Sequence, residues 1–340
     1  MMNDLSFLKC PDCRLPLEWN QVELLCVKCG RSFPVTSGVF DLSTAPSITD
    51  KTKKTVAQFG ESWKIFDHIE PYHKKQFAEW IAPFPVDDFK DKVVFEGGCG
   101  KGRHTLTISA YEPSRIVSVD LSEAIFIAAS KMAAMKECLP KGKEAPETVF
   151  IRGDLKDLPV ADSFFDIVFC VGVLHHIDDP RKGLEEMWRI LKPGGKLLLW
   201  VYAREGNGWI VHLLDPLRKG FTSRTPTRFL RIMALPLTSF LFFLLKAVYG
   251  PSSGWGKRKT PLPYSDYLNS ISTFPFREID NIVVDHLCPA VAYYLSKEEI
   301  EKMFRPLRPT SFTTRWHHRN SWTVLAEKPG VSGSQDAGKL

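Results

Sequence analysis

The sequence predicts an α/β protein, a doubly wound parallel sheet with a small cysteine-bound unit ahead of it. Three observations lead there. The apolar run Val93-Val94-Phe95 passes through Glu96-Gly97-Gly98-Cys99-Gly100-Lys101-Gly102 into a helical pattern at Leu106 and Ile108, which reads as a buried strand, a tight turn and a helix. Further short apolar runs follow, separated by helical stretches, as βα units require. Near the N-terminus, Cys10, Cys13, Cys26 and Cys29 form two Cys-x-x-Cys pairs.

The totals allow one large core and a small satellite: 340 residues, 44% of them hydrophobic. A formal net charge of +6 permits an anionic partner without demanding nucleic acid. Met1 to Cys10 is poor in apolar residues and shows no leader, so a cytoplasmic protein is expected. Cys99, Cys138, Cys170 and Cys288 are scattered and read as small buried hydrophobes in a reducing compartment.

Taken in order, residues 1–45 read as a self-contained unit. Its two cysteine pairs, with twelve residues between them, offer four thiolates to one tetrahedral zinc ion, a reading preferred to a redox dithiol or two disulfides. So small a core needs the metal for much of its folding free energy. Four thiolates leave no open coordination position, so the expected zinc is structural. Residues 46–58, with Pro46 and several Ser and Thr nearby, read as a linker. Aromatic residues recur from Phe59 to Trp80, and Pro83 and Pro85 then break the chain before the first sheet strand.

At the turn after that strand, Gly98, Gly100 and Gly102 let the backbone bend and let a ligand approach main-chain atoms. A second strand, Arg115 to Val119, ends in Asp120 and Leu121. A third, Val149 to Ile151, ends in Gly153-Asp154-Leu155. An acid at the tip of the second strand is where a ribose diol finds a two-acceptor partner. Phe164 to Cys170 is a fourth strand and runs through Val171 toward His175 and His176. A turn at Pro193-Gly194-Gly195 leads into a fifth, Lys196 to Val201. Ser296 and Glu299 have capping-box spacing ahead of a short helix, and 310–327 reads as a hairpin about 317–320. The tail, 330–340, reads as disordered.

These motifs, in this order, resemble the class I S-adenosylmethionine-dependent methyltransferases of the small-molecule and ubiquinone-biosynthesis type, over residues 59–329. The N-terminal unit resembles the zinc ribbon of the small activator subunit of tRNA methyltransferases. The resemblance implies a Rossmann-like, seven-stranded sheet with an antiparallel last strand, and S-adenosylmethionine as cofactor. It also implies that Glu96, Gly98, Cys99, Gly100 and Gly102 serve the methionine side, and that Asp120 and Leu121 meet the ribose. Asp154 and Leu155 would meet the adenine, and Cys170 and Val171 would border the sulfonium. The aromatic stretch from Phe59 would be a lid over the cofactor or simply packing on the sheet.

The acceptor side is less defined. His175 and His176 leave the fourth strand at the open edge and are the candidate bases, since imidazole titrates near neutrality. Tyr202, Glu205, Asp285 and His286 rank below them. Some quinone-pathway relatives hold a divalent metal through a carboxylate at the place His175 occupies, which puts such a metal in doubt here. Residues 204–290 form an insertion expected to choose the acceptor. Within it, 232–245 is uncharged, flanked by Arg231 and Lys246, interrupted by Pro236, and short of the ~20 residues a membrane span needs. It reads as a buried cap helix roofing an apolar acceptor pocket. The alternative is a helix lying on lipid across 229–249, which would put the protein at the inner face of the membrane.

The expected reaction is methyl transfer to a hydroxyl of a small molecule, glycan or lipid-linked precursor. An RNA-base methyltransferase is one alternative, because a zinc ribbon precedes this fold in similar rRNA-modifying enzymes. Against nucleic acid, the ribbon is not rich in Lys/Arg with interleaved aromatics. A non-catalytic scaffold is another alternative, and the intact glycines and Asp120 speak against it.

Overall fold

The computed structural model describes residues 4–43, 48–140, 142–250 and 264–330. Among these residues one sheet of 11 strands runs through the molecule. Its central part uses β5 (Val93–Gly97), β6 (Arg115–Asp120), β7 (Glu147–Arg152), β8 (Phe165–Val171) and β9 (Leu191–Tyr202), all parallel, in the order β7-β6-β5-β8-β9. A hairpin, β10 (Ser311–His317) and β11 (Ser321–Glu327), closes the far edge, with β11 antiparallel to β9. These are the seven strands and the antiparallel closure expected from the sequence. The expected turn at Pro193-Gly194-Gly195 bulges out inside β9, whose pairing jumps from Leu191–Phe165 to Lys196–Ile167.

The crossover helices follow the sheet strands: α3 (Arg103–Ser109), α4 (Ala124–Glu137) and α5 (Pro180–Ile190). Asp179 caps α5 by accepting from Lys182 N at 3.1 Å, with Pro180 as its first residue. The sheet's inner strands are apolar on both faces, which is what helices on both sides require.

The cysteine unit is not self-contained. Its strands β1 (Glu18–Trp19), β2 (Glu23–Leu25), β3 (Ser32–Thr36) and β4 (Val39–Asp41) continue the main sheet, because β4 pairs parallel with β7. Phe40 lies opposite Ile151. Phe7 is 1% exposed and stacks on Phe164 at 4.8 Å, inside the same core that holds Val117, Val149 and Phe165. Backbone bonds tie it further: Lys9 N donates to Pro159 O at 2.9 Å and Ala161 N to Phe7 O at 2.7 Å. The unit was expected to stand apart because its sequence shows the strands and not their partner.

The expected linker is also corrected. Residues 50–58 are the first half of α1 (Asp50–Ile65), capped by Thr49, whose hydroxyl accepts from Thr52 N at 3.2 Å. Its buried face is Thr52, Thr55, Gly60 and Ser62, small residues that let the helix lie close on the neighbouring segments. α2 (Pro71–Ile81) follows, with Phe77 and Ile81 in the core.

The insertion holds α6 (Asp215–Gly220), α7 (Thr227–Leu244), α8 (Ser265–Ile271) and α9 (Phe276–Leu287), and α10 (Lys297–Phe304) comes after it with the expected Ser296/Glu299 capping box. α7 does not roof the cavity. One stripe of it, Leu230, Ala234 and Leu245 among others, packs on α9 and α8, while Phe229, Phe240 and Phe243 are 65–70% exposed on the other side. The buried-cap reading of 232–245 is therefore wrong. Of the scattered cysteines, Cys99, Cys170 and Cys288 are buried as expected and Cys138 is exposed. The expected disordered tail lies outside the described residues from 331 onward.

Candidate active site

A cavity of about 400 Å³ opens at the C-terminal ends of the parallel strands, where doubly wound sheets bind ligands. Its floor is the turn after β5. Gly98 has φ +76° and a Cβ there would meet Val173 at 2.4 Å; Gly100 has φ +52° and lies under the Trp63 indole. Only glycine allows both the conformation and the contact. Cys99, Leu121, Leu155 and Val171 also line the cavity.

Asp120 ends β6 at this floor. Its Oδ2 accepts from Gly100 N at 2.8 Å, and its Oδ1 accepts from Ser122 N at 2.7 Å and from the Ser122 hydroxyl at 2.6 Å. Burial raises its pKa against these hydrogen bonds. Oδ1 is filled by its two Ser122 donors, while Oδ2 keeps a lone pair for one hydroxyl of a diol. Asp154 is 8% exposed; its Oδ1 accepts from Lys156 N, while Oδ2 has no hydrogen-bond partner, with Lys156 Nζ 3.7 Å away. A buried carboxylate oxygen left open toward a cavity suits an amino-group donor. These features fit a nucleoside.

Three of the expected cofactor residues lie behind the wall. Glu96 is 1% exposed and absent from the lining; its Oε2 accepts from Thr105 and, at 3.0 Å, from the Ser118 hydroxyl, bracing α3 against β6. Burial pushes it up to about 7. Gly102 packs against Ala128, and Cys170 is fully buried in the core.

The lid comes from α1 and α2. Phe59, Trp63, Tyr72 and Trp80 line the cavity. Lys101 lies 4.8 Å over the Trp63 ring and donates to Phe66 O at 2.6 Å and His68 O at 2.9 Å, which pins the end of α1 to the turn. Burial lowers Lys101 to about 7. Arg103, the first residue of α3, reaches the cavity with its guanidinium 5.1 Å over the Trp80 ring. Trp63 belongs to the aromatic stretch expected as a lid or as packing on the sheet, while Arg103 carries no signal in the sequence beyond its place beside the glycines.

On the acceptor side the ranking from sequence changes. His175 is 0% exposed, neither ring nitrogen has a hydrogen-bond partner, and it lies behind Tyr202 with ring centres 4.0 Å apart, outside the cavity lining. His176 lines the cavity but its Nδ1 donates to Val291 O at 2.8 Å, and burial lowers it to about 3. Asp285, on α9, lines the cavity and accepts from the Tyr202 hydroxyl at 3.0 Å. Burial raises it to about 6. His286 also lines the cavity and is lowered to about 4, by burial first. Glu205 does not: its oxygens accept from Lys297 N and Trp322 Nε1. Tyr267 from α8 and His317 and His318 from the β10–β11 turn complete this end, unforeseen because their partners are distant in sequence.

The second site is the cysteine cluster. The four Sγ atoms lie within 4.8 Å of one another, with Cys13–Cys26 at 3.3 Å and Cys10–Cys29 at 3.7 Å. Tetrahedral Zn–S bonds of about 2.3 Å imply sulfur separations near 3.8 Å, so the cluster fits one zinc ion.

Residues 95–199 match the methyltransferase domain family, and residues 5–38 match the Trm112p-like protein family. The chain carries a class I S-adenosylmethionine-dependent methyltransferase domain behind a Trm112-like zinc ribbon. S-adenosylmethionine is the cofactor of this domain family, and the four cysteines of the ribbon are placed for a structural zinc. Among curated proteins the chain is similar to the tRNA (carboxymethyluridine(34)-5-O)-methyltransferase of Arabidopsis thaliana, 29% identical over 171 residues, which is 48% of this chain and 36% of that one. It is 25% identical over 195 residues to a tRNA U34 carboxymethyltransferase of Idiomarina loihiensis, covering 49% and 58% of the two chains. It is 29% identical over 138 residues to the 2-methyl-6-phytyl-1,4-hydroquinone methyltransferase of Spinacia oleracea, covering 40% and 37%. The chain thus spans less than two thirds of the length of these relatives.

Proposed function

We propose that the methyltransferase acts on an oxygen of an acceptor bound between α8, α9 and the β10–β11 turn, with Asp285 taking the proton. The observation that carries this reading is the Tyr202–Asp285 pair inside the cavity. When bound, the cofactor supplies a methyl group already activated on a sulfonium. The chain's own task is to align the acceptor and keep water out. Gly98, Gly100, Asp120 and Asp154 are the groups that would hold the cofactor, and the α1 aromatics Phe59 and Trp63 would cover it. Arg103, which lines the cavity, would serve a carboxylate at the methionine end.

A base works best with a pKa near the working pH. Asp285, raised to about 6, meets that condition, whereas His176 at about 3 and the sealed His175 do not. The Tyr202 hydroxyl stabilises the ionised form and holds its orientation. As the base must be ionised, transfer is expected above about pH 6 and is lost as pH falls through that value. Tyr202→Phe removes a donor to the carboxylate, so the acid limb of kcat/KM should move to higher pH.

The acceptor we favour is a small or lipid-linked molecule, because helices of the chain itself enclose this end of the cavity. A tRNA acceptor is the second reading, supported by the names of the Arabidopsis and Idiomarina relatives and by the Trm112-like ribbon. Methyl-labelled cofactor incubated with total tRNA and, separately, with a lipid extract decides between them by where the label goes. Asp285→Asn should abolish transfer while calorimetry shows unchanged cofactor affinity. Transfer at the wild-type rate by Asp285→Asn would end its assignment as base.

A further inference from the structure

We infer that the outer face of α7 rests on an anionic lipid surface. The helix is apolar all round, a pattern that normally means burial. Yet over Thr227–Tyr249, with mean hydropathy 1.8, only 17% of the most apolar stretch is buried. Its inner stripe recurs every three or four residues, at Leu230, Ala234, Thr238, the partly buried Leu241 and Leu245, and packs on α8 and α9. Its outer stripe, Phe229, Ile232, Leu237, Phe240 and Phe243, is at least 52% exposed and has no covering segment among the described residues. So large an apolar patch on a protein surface marks an interaction site.

Charge decides which partner. Of the six basic residues in 208–250, Arg218 is buried against Asp215, and Arg231 and Lys246 are engaged by Asp280 and by backbone carbonyls. That leaves Lys219, Arg224 and Arg228 for the surface, with Glu61 beside Arg228. Lys219, Arg224 and Arg228 are exposed around the segment that leads into α7. In the helical stretch just before, Trp209, Leu213, Leu217 and Phe221, every fourth residue, are each at least 51% exposed. An apolar stripe with aromatic residues and a basic margin is what an interfacial helix presents to acidic headgroups. A second copy of the chain would bring the same basic margin against itself.

The helix lies along the surface and does not cross. Arg231 Nε pairs with the fully buried Asp280 at 2.6 Å, and Lys246 Nζ donates to Ser272 O at 2.7 Å and Phe274 O at 3.0 Å. These contacts fix the first part of α7 to α9 and the turn just after α7 to the connection between α8 and α9, so insertion across a bilayer would break them. The inference is independent of what the acceptor is, and its test does not measure transfer.

The test is flotation of the full chain, zinc-loaded, with vesicles of phosphatidylcholine containing phosphatidylglycerol, against vesicles of phosphatidylcholine alone. The wild type should float with the anionic vesicles and be released by salt. Phe240→Ser with Phe243→Ser should lower the partition constant at least roughly tenfold, without lowering the melting temperature. Lys219→Glu with Arg224→Glu and Arg228→Glu should remove the preference for anionic lipid. Failure of the wild type to float at low salt overturns the inference, as does flotation of the serine variant equal to wild type. If sedimentation shows a dimer that the serine variant dissociates and neither protein floats, the face belongs to a second copy and the inference fails.

Discussion

The ribbon and the α6–α7 segment are both additions to the seven-stranded sheet, and they treat exposed apolar residues in opposite ways. The ribbon gathers four cysteines fit for a metal, and its outward residues Leu5, Phe7 and Leu8 are buried against the sheet. α7 is the more apolar, yet its outward phenylalanines stay uncovered. Composition alone does not set burial. What decides is whether the chain supplies a partner: β7 and the Phe164–Phe165 pair meet the ribbon, and nothing among the described residues meets the outer face of α7.

That contrast is sharpened first at the metal. Cys26→Ser should release the zinc, and because structural zinc sites contribute on the order of 10 kcal/mol the effect should exceed any other here. A separable ribbon would leave the cofactor site intact. The continuous sheet predicts instead that cofactor affinity and zinc are lost together, read by metal analysis and calorimetry on one preparation. Unchanged cofactor binding in zinc-free protein would break the comparison. Phe7→Ala comes next: a fully buried ring at the docking core should cost about 3–5 kcal/mol in denaturant unfolding.

Asp120→Ala lies outside both additions and calibrates them. Loss of a hydrogen bond to a charged group should weaken cofactor binding by about 2–3 kcal/mol, with the fold retained. Calorimetry showing wild-type affinity would remove Asp120 from the ribose. The smallest effect belongs to α7. Phe243→Ser, at an exposed position, should change stability by no more than about 0.5 kcal/mol, against several for Phe7→Ala. A large loss would mean that the outer face is covered after all.

How far the sequence carries depends on whether a residue's partner is near it in the chain. The strand ending at Gly97, the glycine turn and the acids at Asp120 and Asp154 are local patterns, and each was readable. The first half of α1, 50–58, reads as linker because the helix buries Thr52, Thr55, Gly60 and Ser62, residues with no hydrophobic period to detect. Asp285 ranked low because the groups that make it a candidate, Tyr202 and the burial around it, come from 83 residues away. His175 and His176 looked equivalent, and only packing separates the sealed ring from the one at the cavity wall. The length and apolarity of α7 were legible; which face it would bury was not.

The parallel pairing of β4 with β7 also sets an order of events during synthesis. Phe40 leaves the ribosome roughly 110 residues before its partner Ile151. At about 5–20 residues per second, the edge of β4 waits on the order of 5–20 s for the strand that covers it. An unpaired edge next to exposed Phe7 and Leu8 is a template for wrong association. All four cysteines have emerged by then, so zinc capture can hold β3 and β4 in shape during the wait. In a zinc-starved cell the fault would therefore show as aggregation of newly made chains, while protein already folded would persist.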